Sequence, residues 1–133
     1  MAAVRVYKNR IMARSPYYIT AFATASGTIT LSSVGVDEFV VVNGVTYTAV
    51  GAAKANNNQF DVSGTNAAAA TDLADSIINN TDVSTLNDVI ASATTNEVTV
   101  YPTVGGVAGN ATAMTKTGAG ITLSAATFNG GDD

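Results

Sequence analysis

A mainly β fold of the α+β kind is predicted here: a small antiparallel β-sheet or sandwich covered by one helix, with an extended N-terminal arm. Three observations predict it. Two β-rich runs flank the dipeptide Asn43-Gly44. A single alanine-rich window at residues 65–80 carries a clear helical period. Four of the six basic side chains, Arg5, Lys8, Arg10 and Arg14, fall in the first fourteen residues, whereas all ten carboxylate side chains lie at Asp37 or later. Residues 1–36 therefore carry +4 and residues 37–133 carry −8. The expected organisation is an arm, residues 1–22, joined to one β-rich domain, residues 23–133.

In the arm, Val4, Val6, Ile11, Met12, Tyr17 and Tyr18 are interspersed with the four cations. The apolar groups do not recur at helical spacing, and Pro16 biases Ser15 toward extended backbone. An extended segment that becomes ordered against a partner is expected; the alternative is a first strand in the domain's own sheet. Thr28-Ile29-Thr30-Leu31 then alternates polar with apolar, as a half-buried strand does. Residues 38–42 and 45–50 read as a hairpin, because Asn-Gly is the pair best able to take positive φ twice in a type I′ turn. Residues 51–58 read as a polar loop, and Gln59-Phe60-Asp61-Val62 as a short edge strand.

Thr65 or Asn66 can cap the helix, the alanines have the best intrinsic propensity, and Ala70, Leu73, Ala74 and Ile77 share one face. Asn79-Asn80 can end it, which puts the helix near residues 66–79. One apolar stripe suits packing on one side of a sheet. For residues 84–91 a second helix competes with a strand over residues 88–93, and the strand is preferred. A turn at Thr95-Asn96 and a strand at residues 97–101 follow, closed by Pro102. The remainder is Gly-rich turn, a strand at residues 121–124, and a tail.

At 133 residues the chain has the size of one domain, and about two thirds of its unfolded surface can be buried on folding. It contains neither cysteine nor histidine. That removes disulfides, thiolate nucleophiles, and the side chain best suited to proton transfer near neutral pH. No enzymatic role and no cofactor are expected. The opening residues lack the unbroken apolar stretch of a secretory signal, so synthesis in the cytoplasm is expected. The longest strongly apolar run, residues 39–42, is far short of the roughly 20 residues that span a bilayer, so no membrane partner is expected.

The close carboxylate pairs are Asp37-Glu38, Asp72 with Asp75, and Asp132-Asp133. None has the apolar flanks that would bury one member and shift its pKa for catalysis. Asp72 and Asp75 read as the solvated face of the helix. Asp132-Asp133 reads as an exposed terminus in preference to a calcium site, and no metal is expected. Residues 105–109 are Gly-rich, but no Lys-Ser/Thr follows, so they read as a turn and not a phosphate loop. The cations among Tyr7, Tyr17 and Tyr18 suit an acidic protein surface better than nucleic acid, because the chain is acidic as a whole.

The order of the Asn-Gly hairpin with Val45-Thr46-Tyr47-Thr48, the Ala-rich helix, the β-rich run 97–101, Gly105-Gly106-Val107-Ala108-Gly109-Asn110 and the closing Phe128-Asn129-Gly130-Gly131-Asp132 resembles a module of tailed-bacteriophage virion structural proteins. That module recurs in tail sheath and small capsid-associated proteins, and the likeness covers residues 38–133. It implies a β-rich packing module without catalytic residues. A sheath subunit would need further domains, so the length suits a capsid decoration or cement protein on the virion surface. The implied partners are the major capsid protein and copies of the chain itself, as dimer or trimer. The residues expected to bind them are Arg5, Tyr7, Lys8, Arg10, Arg14, Tyr17 and Tyr18. The alternative is a tail-associated, adhesin-like module in which Asn56-Asn57-Asn58 binds surface glycan.

Overall fold

The computed structural model describes residues 24–80, 89–103 and 105–132. Among them run β1 (Gly27–Leu31), β2 (Phe39–Val42), β3 (Val45–Val50), β4 (Gln59–Asp61), α1 (Asn66–Asn79), β5 (Val89–Thr94), β6 (Glu97–Pro102), a 3₁₀ helix (Gly106–Ala111), β7 (Met114–Lys116) and β8 (Ile121–Leu123). The strands form two four-stranded sheets, ordered β5-β6-β1-β8 and β4-β3-β2-β7. This is the mainly β architecture with one α-helix that the sequence predicts. The arm residues 1–22 lie outside the described residues, as do residues 84–88 of the competing 84–91 helix, whose residues 89–91 belong to strand β5.

Alternation decides which way each strand faces. Ile29 and Leu31 of β1, Val98 and Val100 of β6, Val40 and Val42 of β2, and Val45, Tyr47 and Ala49 of β3 are buried in one apolar cluster shared by both sheets. Their neighbours in sequence, such as Thr28, Thr30, Thr46 and Thr48, point outward, as a period of two requires. Helix α1 completes the cluster with Ala69, Ala70, Leu73, Ala74 and Ile77. Thr65 is its N-cap and accepts a hydrogen bond from Ala68 N at 3.1 Å. Asn66 has a different role: its Oδ1 accepts from Ser33 N at 3.0 Å and ties the helix start to the end of β1.

The hairpin β2–β3 pairs Val42 with Val45, and both turn residues take positive φ, 50° at Asn43 and 84° at Gly44. The second predicted hairpin is also present, with Thr94 opposite Glu97 and Thr95 at φ 53°. Three features depart from the sequence reading. Strand β4 lies at a sheet edge, as predicted, but pairs with β3 in parallel, Gln59 opposite Thr48. The loop 51–58 needs to double back only a short way to set this register. Residues 106–111 form a 3₁₀ helix instead of a simple turn. Strand β7, which pairs with β2, was not predicted.

The C-terminal segment is no loose tail. Met114 N donates to Ala126 O, Phe128 N donates to Thr112 O, and Ser26 and Asn129 exchange both backbone hydrogen bonds. Asn110 clasps Gly131 through both its amide atoms. Residues 126–131 therefore bridge β1 of one sheet and β7 of the other, and Phe128, 1 % exposed, is part of the core. Gly27 makes room for it: a Cβ there would run into the Met114 methyl and lie 2.9 Å from Phe128 Cδ1.

Candidate interaction surface

The predicted partner-binding side chains, Arg5, Tyr7, Lys8, Arg10, Arg14, Tyr17 and Tyr18, all lie outside the described residues. What the structure places is the body to which they are joined. Its described residues hold seven carboxylates, Asp37, Glu38, Asp61, Asp72, Asp75, Glu97 and Asp132, against two lysines. Both lysines are already engaged. Lys116 Nζ donates to Gly118 O at 2.7 Å. Lys54 Nζ reaches Asp75 Oδ2 at 2.7 Å, Ser76 Oγ at 2.8 Å, Asp72 Oδ1 at 3.1 Å and Asp72 O at 3.3 Å. The outward field of the body is therefore set by unpaired carboxylates such as Asp37, Glu97 and Asp132, all exposed.

The Lys54 network revises the reading of Asp72 as part of a solvated helix face, whereas Asp75 stays exposed as expected while pairing with Lys54. Asp72 turns inward, where its Oδ2 accepts from Asp61 N at 2.7 Å while Oδ1 faces Lys54. Ser76, fully buried, donates its hydroxyl to Gln59 O at 2.6 Å. Helix α1 thus uses side chains to satisfy the outer edge of β4, where no further strand is available. Sequence offered one signal for this: Lys54 is the only basic residue between Arg14 and Lys116.

A surface hollow of about 370 Å³ opens beside the network, lined by Ala53, Lys54, Asp61, Ser63 and Asp72 among others. Lys54 pairs with Asp72 at its rim, and Asp61, the second lining carboxylate, has its Oδ1 accept from Ser63 N at 2.7 Å. Among the described residues no three side chains of His, Cys, Asp or Glu converge as metal donors. No helix among them is long and apolar enough to cross a membrane.

The electrostatics of the network have a definite sign. Burial opposes the Lys54 ammonium, but hydrogen bonds and charges from Asp75 and Asp72 outweigh it and hold the pKa above the ordinary 10.5. The Lys54 hydrogen bond holds the Asp75 carboxyl below the ordinary 3.8, and the Ser63 N–H does the same for Asp61. A depressed carboxylate contributes stability that is complete above its unfolded pKa and fades as pH falls through the folded one. A raised lysine contributes stability that is complete below 10.5 and fades as pH rises through the folded value. Lys54→Met is expected to cost about 1 kcal/mol at pH 7, discounted for the exposure of Asp75. It should also remove the network's alkaline loss and make the acid-side loss below pH 3.8 shallower, leaving the part due to Asp61. Urea denaturation at a series of pH values measures this, and a wild-type pH profile in the variant would refute it.

The triple-asparagine loop is committed internally. Asn56 Oδ1 accepts from Asn58 N, Asn58 Nδ2 donates to Thr46 O, and Asn57 Nδ2 donates to Asn79 O. These side chains hold loop 51–58 to β3 and to the end of α1.

One surface feature went unread in the sequence: the apolar Ile90, 52 % exposed, beside its cross-strand partner Tyr101. No protein-family model matches the chain, and no curated protein matches it.

Proposed function

We propose that the chain is a phage virion structural protein, a capsid decoration or cement protein that binds the major capsid protein and copies of itself and so stabilises the head. The observation that carries this reading is the charge polarity: four cations in the first fourteen residues, and every carboxylate side chain at Asp37 or later. A basic segment rich in Val, Ile and Tyr has favourable fields and apolar area to offer an acidic neighbour. The body adds support of another kind. Both of its lysines are engaged within the subunit, and its outer sheet faces carry short threonines, including Thr28, Thr30, Thr99 and Thr122. Such faces pack laterally with few long charged chains to desolvate.

The test uses phage heads stripped of decoration. The full chain and a chain lacking residues 1–14 are mixed with the heads, and occupancy is counted by electron microscopy. The expected result is bound density on the shell for the full chain and loss of it for the truncated one, whose body stays folded by circular dichroism. Full occupancy by the truncated protein, or density at the tail tip alone, overturns the proposal.

A further inference from the structure

Charge divides the segment ahead of β1 into two parts. The four cations end at Arg14, and no charged side chain follows before Asp37. Residues 15–23 are uncharged and hold Tyr17, Tyr18, Ile19 and Phe22. Apolar groups of that size gain by leaving water. The body offers a matching surface beside the point of attachment. Ala91 and Val100 point into the core, so Ile90 and Tyr101, which are opposite each other, project from the outer face of the β5-β6-β1-β8 sheet. Ile90 is 52 % exposed and Tyr101 is half-buried. Gly27 is opposite Val100, so Ser26 runs alongside Tyr101. Burial of Ala25 and exposure of Thr24 keep the same alternation, with residues 24 and 26 on the outer face. The chain therefore leaves the sheet one strand from Tyr101 and two strands, about 10 Å, from Ile90.

We propose that Ile19 and Phe22 fold back within their own subunit onto Ile90 and Tyr101, so that residues 19–23 form an anchored base and the segment up to Tyr18 reaches outward. A single exposed isoleucine is ordinary on a protein surface. This one is set apart by Tyr101 beside it and by the uncharged apolar segment tethered one strand away. Phe22 is four residues before Ser26, a span of at most about 14 Å, and Ile19 is at most about 10 Å further. Both distances cover the path to Ile90. The face between is low, because Ser92, Thr99 and Thr28 form the neighbouring cross-strand row, and the long charged Glu97 is one row further, opposite Thr94 and Thr30. The Phe22 ring has Tyr101 for an aromatic partner and the Ile90 side chain for an aliphatic one. A tether of a few residues holds the segment at an effective concentration in the mM range, which a second copy at micromolar concentration does not match. The contact goes beyond the assembly reading, since all seven predicted partner-binding side chains end at Tyr18 and stay available to a neighbour. Its consequence is a fixed direction of departure for the basic arm, from the outer face of this sheet.

A double-mutant cycle in the full-length chain tests it. Phe22→Ser, Ile90→Thr and the double variant are compared with the wild type by urea denaturation. Threonine keeps the β-branching that suits a strand, and neither position is in the core, so the variants stay folded. Their effects on the unfolding equilibrium constant are expected to depart from additivity by about threefold or more, as for residues in contact. NMR of an equal mixture of isotope-labelled and unlabelled chains gives the second readout, with contacts between the Phe22 ring and the Ile90 methyls expected inside labelled chains. Additive effects overturn the proposal. So do Phe22–Ile90 contacts found only between differently labelled chains, which would make a second copy the occupant. Truncation separates this contact from head binding, because a chain lacking residues 1–14 keeps residues 15–23. If that chain still decorates heads while the coupling persists, the decoration reading falls and the anchored base stands; if it fails to decorate and the effects add, the arm stands and its anchor falls.

Discussion

Phe128→Ala is expected to lower the unfolding free energy by about 3 to 5 kcal/mol, the range for emptying a buried aromatic site. The position is five residues from the end of the chain, where truncation is ordinarily harmless. Here the ring is 1 % exposed and lies with the Met114 methyl over Gly27, a position where β1 has no side chain of its own. Removing it leaves a void at the junction of the two sheets. The backbone around it, Phe128 N to Thr112 O and the Ser26–Asn129 pair, is rigid enough to resist collapse into that void. A domain of ordinary stability has only about 5 to 15 kcal/mol in total, so the variant should unfold at a much lower urea concentration. Thr127→Ala, at an exposed neighbouring residue, is the control. A midpoint shift no larger than the control's would show that the closing segment is dispensable.

Phe128 also marks the boundary of what sequence can tell. The Asn43-Gly44 hairpin, the Thr65 cap, the stripe Ala70, Leu73, Ala74 and Ile77, and the Thr95-Asn96 turn were all legible, because each is decided by neighbours within a few residues. Positive φ at Asn43 and Gly44 is a property of that dipeptide before any sheet forms. Met114–Lys116 carried no comparable signal. Three residues with one buried side chain have no period, and the strand exists because Val42, far away in sequence, is opposite Met114. The parallel pairing of β4 was hidden for the same reason.

The charged network shows a different kind of illegibility. Spacing correctly put Asp72 and Asp75 on the helix side away from the Leu73 stripe, and a solvated face is the ordinary fate of such residues. What changed the role of Asp72 was the edge of β4, whose Asp61 N–H donates to its carboxylate while the Gln59 C=O accepts from Ser76; Asp75 stays exposed. The partner-binding residues chosen from sequence rest on charge and lie outside the described residues.

Gly120→Ala is the second large effect. Gly120 is buried at the start of β8, and its O accepts from Ser32 N at 2.8 Å. An added Cβ would lie 2.5 Å from Val34 Cα and 2.9 Å from both Ser33 O and Val34 N. All three are backbone atoms, so no side-chain rotation relieves the contact. Relief requires the chain after β1 to move, which pulls on the Ser32–Gly120 bond and on Gly120 N, held by Glu38 Oε1 at 3.2 Å. We expect a loss of about 2 to 4 kcal/mol, at the upper end of what overpacking does. Gly64→Ala is the comparison, since its Cβ would meet nothing closer than Ala68 Cβ at 3.6 Å. With a compatible backbone that change should be neutral or stabilise by about 0.5 kcal/mol through the unfolded chain. If both variants unfold at the same urea midpoint, the tight approach of β8 to the end of β1 is not what orders this corner. If they separate as expected, the short β8 is held by backbone proximity to residues 32–34 and by Glu38, with little help from its own three residues of ladder.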